Sequence, residues 1–360
     1  MLYIYFKIKK KKNFFSNFFF FFLARNKRTT QQTKSKQIGK LLNQYIIMQA
    51  TQSKVLAGLQ QLETTLAGLT SSQKFAPTCR RRFLFLIRHG HAQNNLEKFH
   101  HSAEPALQPV TGAPKTTLKT VHLTGLGKQQ VQEASSLLLS YPSFQQKPQE
   151  QIRTTFFCSP LTRAVETAEI LALALSSSMK KPLSEESKRD DGQSSVPETD
   201  SPTPESEIVL DPRLSEIGAG TKEGCRYSNE TLQGIWDHSR AWEYDGESYD
   251  ELLLRVLCFL KDLCIRSDHS PVSKNSDKDP GNAVVVSHGT PLCMLLFVLA
   301  GMEPQNNGTQ ALLKPDRLTL QPFKMNNAEV RAKPLPSLQD IHLYVKAVLV
   351  LYENTEAESL

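Results

Sequence analysis

Two histidine–glycine pairs carry the chemical interest of this chain. Arg88-His89-Gly90 ends an unbroken apolar run, Phe83 to Ile87, and His288-Gly289 closes a second run within Ala283–Gly289. A short apolar run without alternation reads as a strand buried on both faces, the kind found in parallel sheets. Both polar ends then fall at the carboxyl edge of the sheet, where open α/β folds bind ligands. An arginine, two histidines and flexible glycines gathered at one edge describe an anion site.

A third run, Thr154–Cys158, reads as another short strand, after which Ser159-Pro160 starts a helix. Proline is favourable in a first helical turn. Arg163 follows in that turn, where the helix dipole mildly opposes a cation. An anion bound at the same helix end would explain it, with an exposed surface arginine as the structural alternative. Strand ends therefore collect Arg88, His89, Asn95, Arg163, Glu216 and His288. Arginine offers bidentate donors matched to phosphate. A neutral histidine can act as nucleophile and split one hard displacement into two. Spread negative charge in phosphoryl transfer needs a cage of positive donors, and this set supplies one without a metal. The leaving alkoxide needs a proton, which a carboxylic acid can give.

The elements that must position these groups alternate along the chain. Gln49–Thr70 has apolar residues near helical spacing and reads as a helix on the domain exterior. Leu96–Val121 reads as a long loop over the site. Its His100 and His101 read as loop histidines, since no acidic or cysteine partner has metal-ligand spacing. Thr124 is a candidate N-cap for a helix carrying Val131, Ala134, Leu137 and Leu138. Tyr141–Ile152 reads as a linker, Ile208–Leu210 as a strand, Glu247–Ile265 and Pro291–Ala300 as helices, and the VKAVLVLY of Ile341–Tyr352 as a last strand. Alternating strands and helices give an α/β domain with a mainly parallel sheet.

Composition bounds the rest. The 360 residues are 39% hydrophobic and 22% charged, which suits a soluble globular protein. The formal charge of +7 is misleading, because residues 1–47 hold eleven Lys or Arg and no Asp or Glu, leaving the remainder at −4. The excess base is thus no sign of a nucleic-acid-binding domain. Six cysteines, at 79, 158, 225, 258, 264 and 293, lack short paired spacing, which fits a reducing compartment. The Phe14–Ala24 stretch is shorter than the ~20 residues that span a bilayer. Three readings of the leader stay open: a secretory signal, an organelle presequence, or untranslated sequence with Met48 as the start. The expected layout is a basic low-complexity leader over 1–47, a helical extension over 48–80 and one domain over 81–355. Polar inserts fall at about 176–207 and 266–282, and Ser/Pro/Glu/Lys/Asp composition reads as disorder.

Several segments, in order, resemble the histidine phosphatase superfamily in its phosphoglycerate-mutase-like branch, branch 1. Arg88-His89-Gly90 with Asn95 resembles RHGxxxxN, and Leu123-Thr124-x-x-Gly127-x-x-Gln130 resembles LTxxGxxQ. Ser159-Pro160-Leu161-x-Arg163-Ala164-x-x-Thr167-Ala168 resembles SPLxRAxxTA. Leu214-x-Glu216-x-x-x-Gly220-x-x-x-Gly224 is similar to LxExxxGxxxG, Gly246-Glu247-Ser248 to GES and Ser287-His288-Gly289 to SHG. The resemblance implies a three-layer α/β/α sandwich. It implies His89 as the phosphohistidine nucleophile, Arg88, Arg163 and His288 as the phosphoryl clamp, Asn95 and Gly289 as substrate-binding positions and Glu216 as proton donor. Glu247 stands equally as a site residue or a structural hydrogen bond near a helix start.

Two departures matter. His91-Ala92 replaces the acidic or amide residue and Ser/Thr usual after RHG, and no second phosphate-binding group for a bisphosphate is apparent. The expectation is therefore a phosphomonoesterase with no metal and no cofactor, acting on a small phosphorylated substrate or, as an alternative, a phosphoprotein. No nucleic-acid partner is expected, and no membrane partner unless the leader is a targeting segment. The expected location is cytoplasmic, or an organelle such as the mitochondrion if the leader is translated. The competing readings are a phosphoglycerate mutase and a non-catalytic phospho-ligand-binding module.

Overall fold

The structure is a computed structural model that describes residues 31–71, 83–103, 120–145, 154–179, 207–226, 241–243, 245–269, 282–303 and 314–357. The first 30 residues of the leader, most of both polar inserts and residues 104–119 of the long loop lie outside the described residues. Residues 1–50 and 51–360 form two compact units. Of the first, the described part is helical; all that follows concerns the second.

In chain order the elements are α1 (Gln31–Ser71), β1 (Phe83–Arg88), the short α2 (Gln93–Glu97), α3 (Gly125–Ser140), β2 (Thr154–Cys158), α4 (Thr162–Met179) and β3 (Glu207–Leu210). Then come α5 (Tyr249–His269), β4 (Asn282–Ser287), α6 (Gly289–Met302), the short α7 (Arg317–Leu320), β5 (Val330–Pro334) and α8 (Leu338–Ala357). Five strands make one sheet in the order β3-β2-β4-β1-β5. Four are parallel, and β5 runs antiparallel to β1 at the edge.

Alternate residues of the central strands feed two cores, as a period of two requires. Leu84, Leu86, Phe157, Ala283 and Val285 join α5, α6, α8 and the Val55–Leu66 stretch of α1 on one face. Phe85, Ile87, Phe156, Cys158, Val284 and Val286 join α3 and α4 on the other. This is the layered α/β arrangement the sequence implies, with a mixed sheet. The expected linker after α3 contributes to it: a single 3-10 turn, Pro142–Phe144, brings the Tyr141 and Phe144 rings to 5.1 and 5.0 Å from Phe85.

One element is corrected. Ile341–Tyr352 is not a strand but part of α8. Its buried apolar residues are Ile341, Tyr344, Val345, Val348, Leu349 and Tyr352, a three-and-four spacing that lines one helical face. β-Branched content favoured a strand, but the periodicity and the packing against α5 and α6 decide the conformation. The antiparallel edge strand is instead Val330–Pro334, whose sequence VRAKP holds too little apolar signal to be read as one. Its terminal proline costs nothing there, since it closes the strand at the sheet edge.

Candidate active site

Strand register places the two histidines side by side. Arg88 pairs with Ser287 at the ends of parallel β1 and β4, so the next residues, His89 and His288, emerge together with ring centroids 5.0 Å apart. Cys158 pairs with Val286, which brings Ser159 level with Ser287 on the other side. Ser159 N–H donates to the Val286 carbonyl (3.0 Å), extending the ladder into the site. One sheet edge thus assembles residues distant in sequence by 200 positions.

His89 is almost wholly buried. Its Nδ1 lies 2.7 Å from the Gly90 carbonyl, which can only accept, so Nδ1 carries the proton. Nε2 therefore holds the lone pair, and Arg163 Nε–H points at it from 3.3 Å. Burial, then Arg163, then Arg88 hold the His89 pKa well below the usual histidine value. The result is a neutral imidazole whose Nε2 lone pair is directed into the cationic cluster.

The cations are fixed from behind. Arg88 Nη1 donates to the Met325 carbonyl at 2.7 Å, while its buried Nε has no hydrogen-bond partner among the described residues. Arg163 is 1% exposed and sits in the first turn of α4, which begins at Thr162, two residues beyond Pro160. Thr167, one turn on, donates to the Arg163 carbonyl (2.8 Å) and accepts the Gly90 N–H (3.2 Å). That hydroxyl ties α4 to the loop bearing His89. His288 is fully buried and neutral: burial, then Arg163, His89 and Arg88, depress its pKa well below the usual value. The first residue of α6, Gly289, faces the Arg88 guanidinium; a Cβ there would lie 3.7 Å from Cζ.

The loop after β1 is braced by α3. Thr124 caps α3 as expected, accepting the Gly127 N–H at 3.1 Å. Gln130 Oε1 accepts the His91 N–H at 2.9 Å, and the His91 ring meets Thr124 Oγ1 at 2.9 Å. His91 thus fills the place of the usual acidic or amide residue with a contact to the cap. Asn95 lies on α2, where its Oδ1 accepts from the Ala92 N–H and from Asn327 Nδ2, both at 3.0 Å.

Sequence reasoning missed His101 and Glu223. His101 is buried, and its Nδ1 and carbonyl each receive an Arg163 amino group at 2.8 Å. Glu223 holds the same loop in place by accepting the Ser102 N–H (2.9 and 3.0 Å), the Ser102 hydroxyl (2.6 Å) and the Ala103 N–H (3.3 Å). Burial raises the Glu223 pKa, against the pull of those hydrogen bonds and of Arg163. Adjacent positive-φ glycines, Gly220 and Gly224, were the one local sign that this stretch turns tightly.

The two remaining carboxylates separate in kind. Glu247 forms a two-pronged ion pair with Arg255 (2.7 and 2.6 Å) and accepts the Gly218 N–H (3.1 Å), the structural role weighed for it. Glu216 is half-buried and accepts only its neighbour's N–H, Ile217, at 2.9 Å among the described residues. It bears on the buried Cys293 thiol of α6, whose pKa burial and then Glu216 push up to about 12. Among the described residues no group of three or more His, Cys, Asp or Glu is placed to hold a metal ion.

Residues 200–319 match the family model of the histidine phosphatase superfamily, branch 1. The match covers 120 of the 360 residues. The matched stretch contains Glu216, Glu223 and His288-Gly289. Among solved structures, the chain is similar to a mycobacterial glucosyl-3-phosphoglycerate phosphatase bound to VO3, at 18% identity and TM-score 0.41, covering 70% of this chain and 90% of that one. It is also similar to an alpha-ribazole phosphatase from Shigella flexneri (20%, TM-score 0.40, covering 69% and 89%). A third is a phosphoserine phosphatase from Entamoeba histolytica (19%, TM-score 0.39, covering 69% and 89%). Comparison with curated proteins finds no match. No helix among the described residues is long and apolar enough to cross a membrane.

Proposed function

We propose that this chain is a metal-independent phosphomonoesterase that works through a phosphohistidine on His89. The observation that carries the reading is the 2.7 Å contact between His89 Nδ1 and the Gly90 carbonyl. With Nδ1–H spent on the Gly90 carbonyl and the ring neutral, Nε2 offers its lone pair beside Arg163, Arg88 and His288. In the first step Nε2 attacks phosphorus and the ester P–O bond breaks. The departing alkoxide takes the proton of the Glu216 carboxylic acid. In the second step Glu216, now a carboxylate, removes a proton from water, whose oxygen attacks phosphorus as the P–N bond breaks. Inorganic phosphate leaves and Glu216 is again an acid.

Arg88 Nε and His288 Nδ1 are buried polar atoms without hydrogen-bond partners among the described residues, and in this reading they meet the phosphoryl oxygens. Such preorganised donors are what a transition state with spread negative charge requires. All of these groups are organic, so chelator should leave turnover intact.

The test is release of inorganic phosphate from nitrophenyl phosphate by the full chain. It is measured with and without EDTA, beside a mutase assay with bisphosphoglycerate. Expected are EDTA-resistant phosphate release and a labelled phosphoenzyme that His89→Ala abolishes. Dominant bisphosphoglycerate-dependent mutase activity, or phosphate binding with no turnover, would replace this reading by one of its competitors.

A further inference from the structure

His288 presents an unsolved problem of valence. A neutral imidazole has one N–H donor and one acceptor nitrogen, and the partner of one nitrogen settles the state of the other. Here His288 Nε2 lies 2.7 Å from Ser159 Oγ, while Nδ1 is buried and has no partner among the described residues.

The serine resolves the choice. Ser159 is fully buried, and its Oγ already accepts the Leu161 N–H at 3.3 Å. Among the described residues, the one acceptor within reach of its hydroxyl proton is His288 Nε2. If the proton went elsewhere, it would be stranded in the core, and Nδ1 would turn a lone pair toward the place of a phosphoryl oxygen. With Ser159 donating to Nε2, the proton of His288 sits on Nδ1 instead. The unpaired buried atom is then a donor, and a buried donor without a protein partner calls for a ligand acceptor.

We propose that Ser159 is a positioning residue that fixes His288 as its Nδ1–H tautomer, so that a buried N–H faces the phosphoryl group transferred at His89; this rests on the phosphatase reading above. The depressed pKa of His288 agrees with a neutral ring. The arrangement also explains why Ser159 stands at the end of β2. Register with β4 puts its hydroxyl beside the residue that follows Ser287.

The tautomer can be read without turnover. Imidazole ¹⁵N–¹H correlation spectra of the labelled full chain are recorded with and without orthovanadate, and His288→Asn identifies the His288 signals. Expected in the wild type is a protonated Nδ1 and an unprotonated Nε2, with Nδ1 shifting when orthovanadate binds. Ser159→Ala should mix the two tautomers. It should also lower kcat/KM toward phosphomonoesters by about tenfold to a hundredfold, below the roughly 10²–10³ cost of removing a whole transition-state donor.

His288→Asn supplies an amide N–H near the Nδ1 position that needs no help from Ser159. In that background Ser159→Ala should therefore cost less than twofold, whereas a merely structural serine would give additive losses. A wild-type spectrum with the proton on Nε2, or additive losses in the double variant, would overturn the proposal. Absence of phosphate release by the wild type would count against the phosphatase reading, while the spectra still decide the tautomer.

Discussion

Gly90 and Gly127 meet so closely that neither has room for a side chain. A Cβ on Gly90 would stand 2.6 Å from the Gly127 carbonyl oxygen, and one on Gly127 would stand 2.0 Å from the His91 carbonyl oxygen. These are backbone atoms, which cannot swing aside as a side-chain tip can. The loop that carries His89 is thus pressed onto the first turn of α3. Thr124 and Gln130 then hydrogen-bond its backbone at His91.

Gly127→Ala should therefore push the loop away from α3. Overpacking of this kind costs about 1–3 kcal/mol, to be seen as a lower midpoint in denaturant unfolding. Activity should fall further than stability explains, because His89 moves relative to Arg163. Turnover within twofold of wild type would show that the loop absorbs the methyl group without moving the nucleophile.

Glu223 should matter although it bonds no substrate in the proposed chemistry. It fastens Ser102 and Ala103, and so holds His101 against both amino groups of Arg163. Glu223→Ala removes a buried acceptor from three donors, each worth about 1–3 kcal/mol when left unpaired. Lower thermal stability and a loss of at least tenfold in kcat/KM are expected, with Glu223→Gln recovering part of both. If Glu223→Ala changes neither beyond twofold, Arg163 does not depend on this loop.

The acid limb of activity should lie well below pH 6.5. In the proposed mechanism His89 must be neutral to attack, and burial beside two arginines keeps it neutral at pH values where an exposed histidine is charged. Stability follows the same sign through His100, whose pKa burial and then Lys222 push down to about 4. Between 6.5 and about 4 the unfolded chain binds the proton that folded His100 refuses, so stability falls as pH drops through that window. Thermal melts across it should show a steeper decline for wild type than for His100→Asn. Parallel declines, or an acid limb in kcat/KM at 6.5 or above, would contradict these assignments.

How much of this was readable in the sequence depended on locality. Phe83–Arg88 and Asn282–Ser287 announce themselves because strands buried on both faces need unbroken apolar runs. Their pairing follows from the sheet and brings His89 and His288 together. Helix α8 misled because Val345-Lys346-Ala347-Val348-Leu349-Val350-Leu351-Tyr352 is β-branched and apolar at once, and only its partners reveal which face is buried. His101 and Glu223 were out of reach for a different reason. Their importance lies in a contact between segments 120 positions apart, and neither segment carries a periodic pattern.

The division of labour between His89 and Glu216 offers the sharpest test. His89 forms the covalent bond in the proposed mechanism, so His89→Ala should abolish both phosphate release and the trapped phosphoenzyme. Among the described residues Glu216 accepts one backbone hydrogen bond, from Ile217 N–H, and is not held in an ion pair as Glu247 is by Arg255. A carboxyl so lightly held is suited to passing a proton. Its value depends on the leaving group: an alkyl alkoxide needs the proton as the bond breaks, whereas nitrophenolate leaves largely unaided. Glu216→Gln should cut turnover of an alkyl phosphate by about 10²–10⁴-fold, the scale of general acid catalysis. With nitrophenyl phosphate the initial burst should survive while steady turnover slows, since the same carboxylate activates water in the second step. Equal first-step losses on both substrates would remove Glu216 as the acid. The same substitutions at Glu223, the buried carboxyl with a raised pKa, would then be the comparison to make.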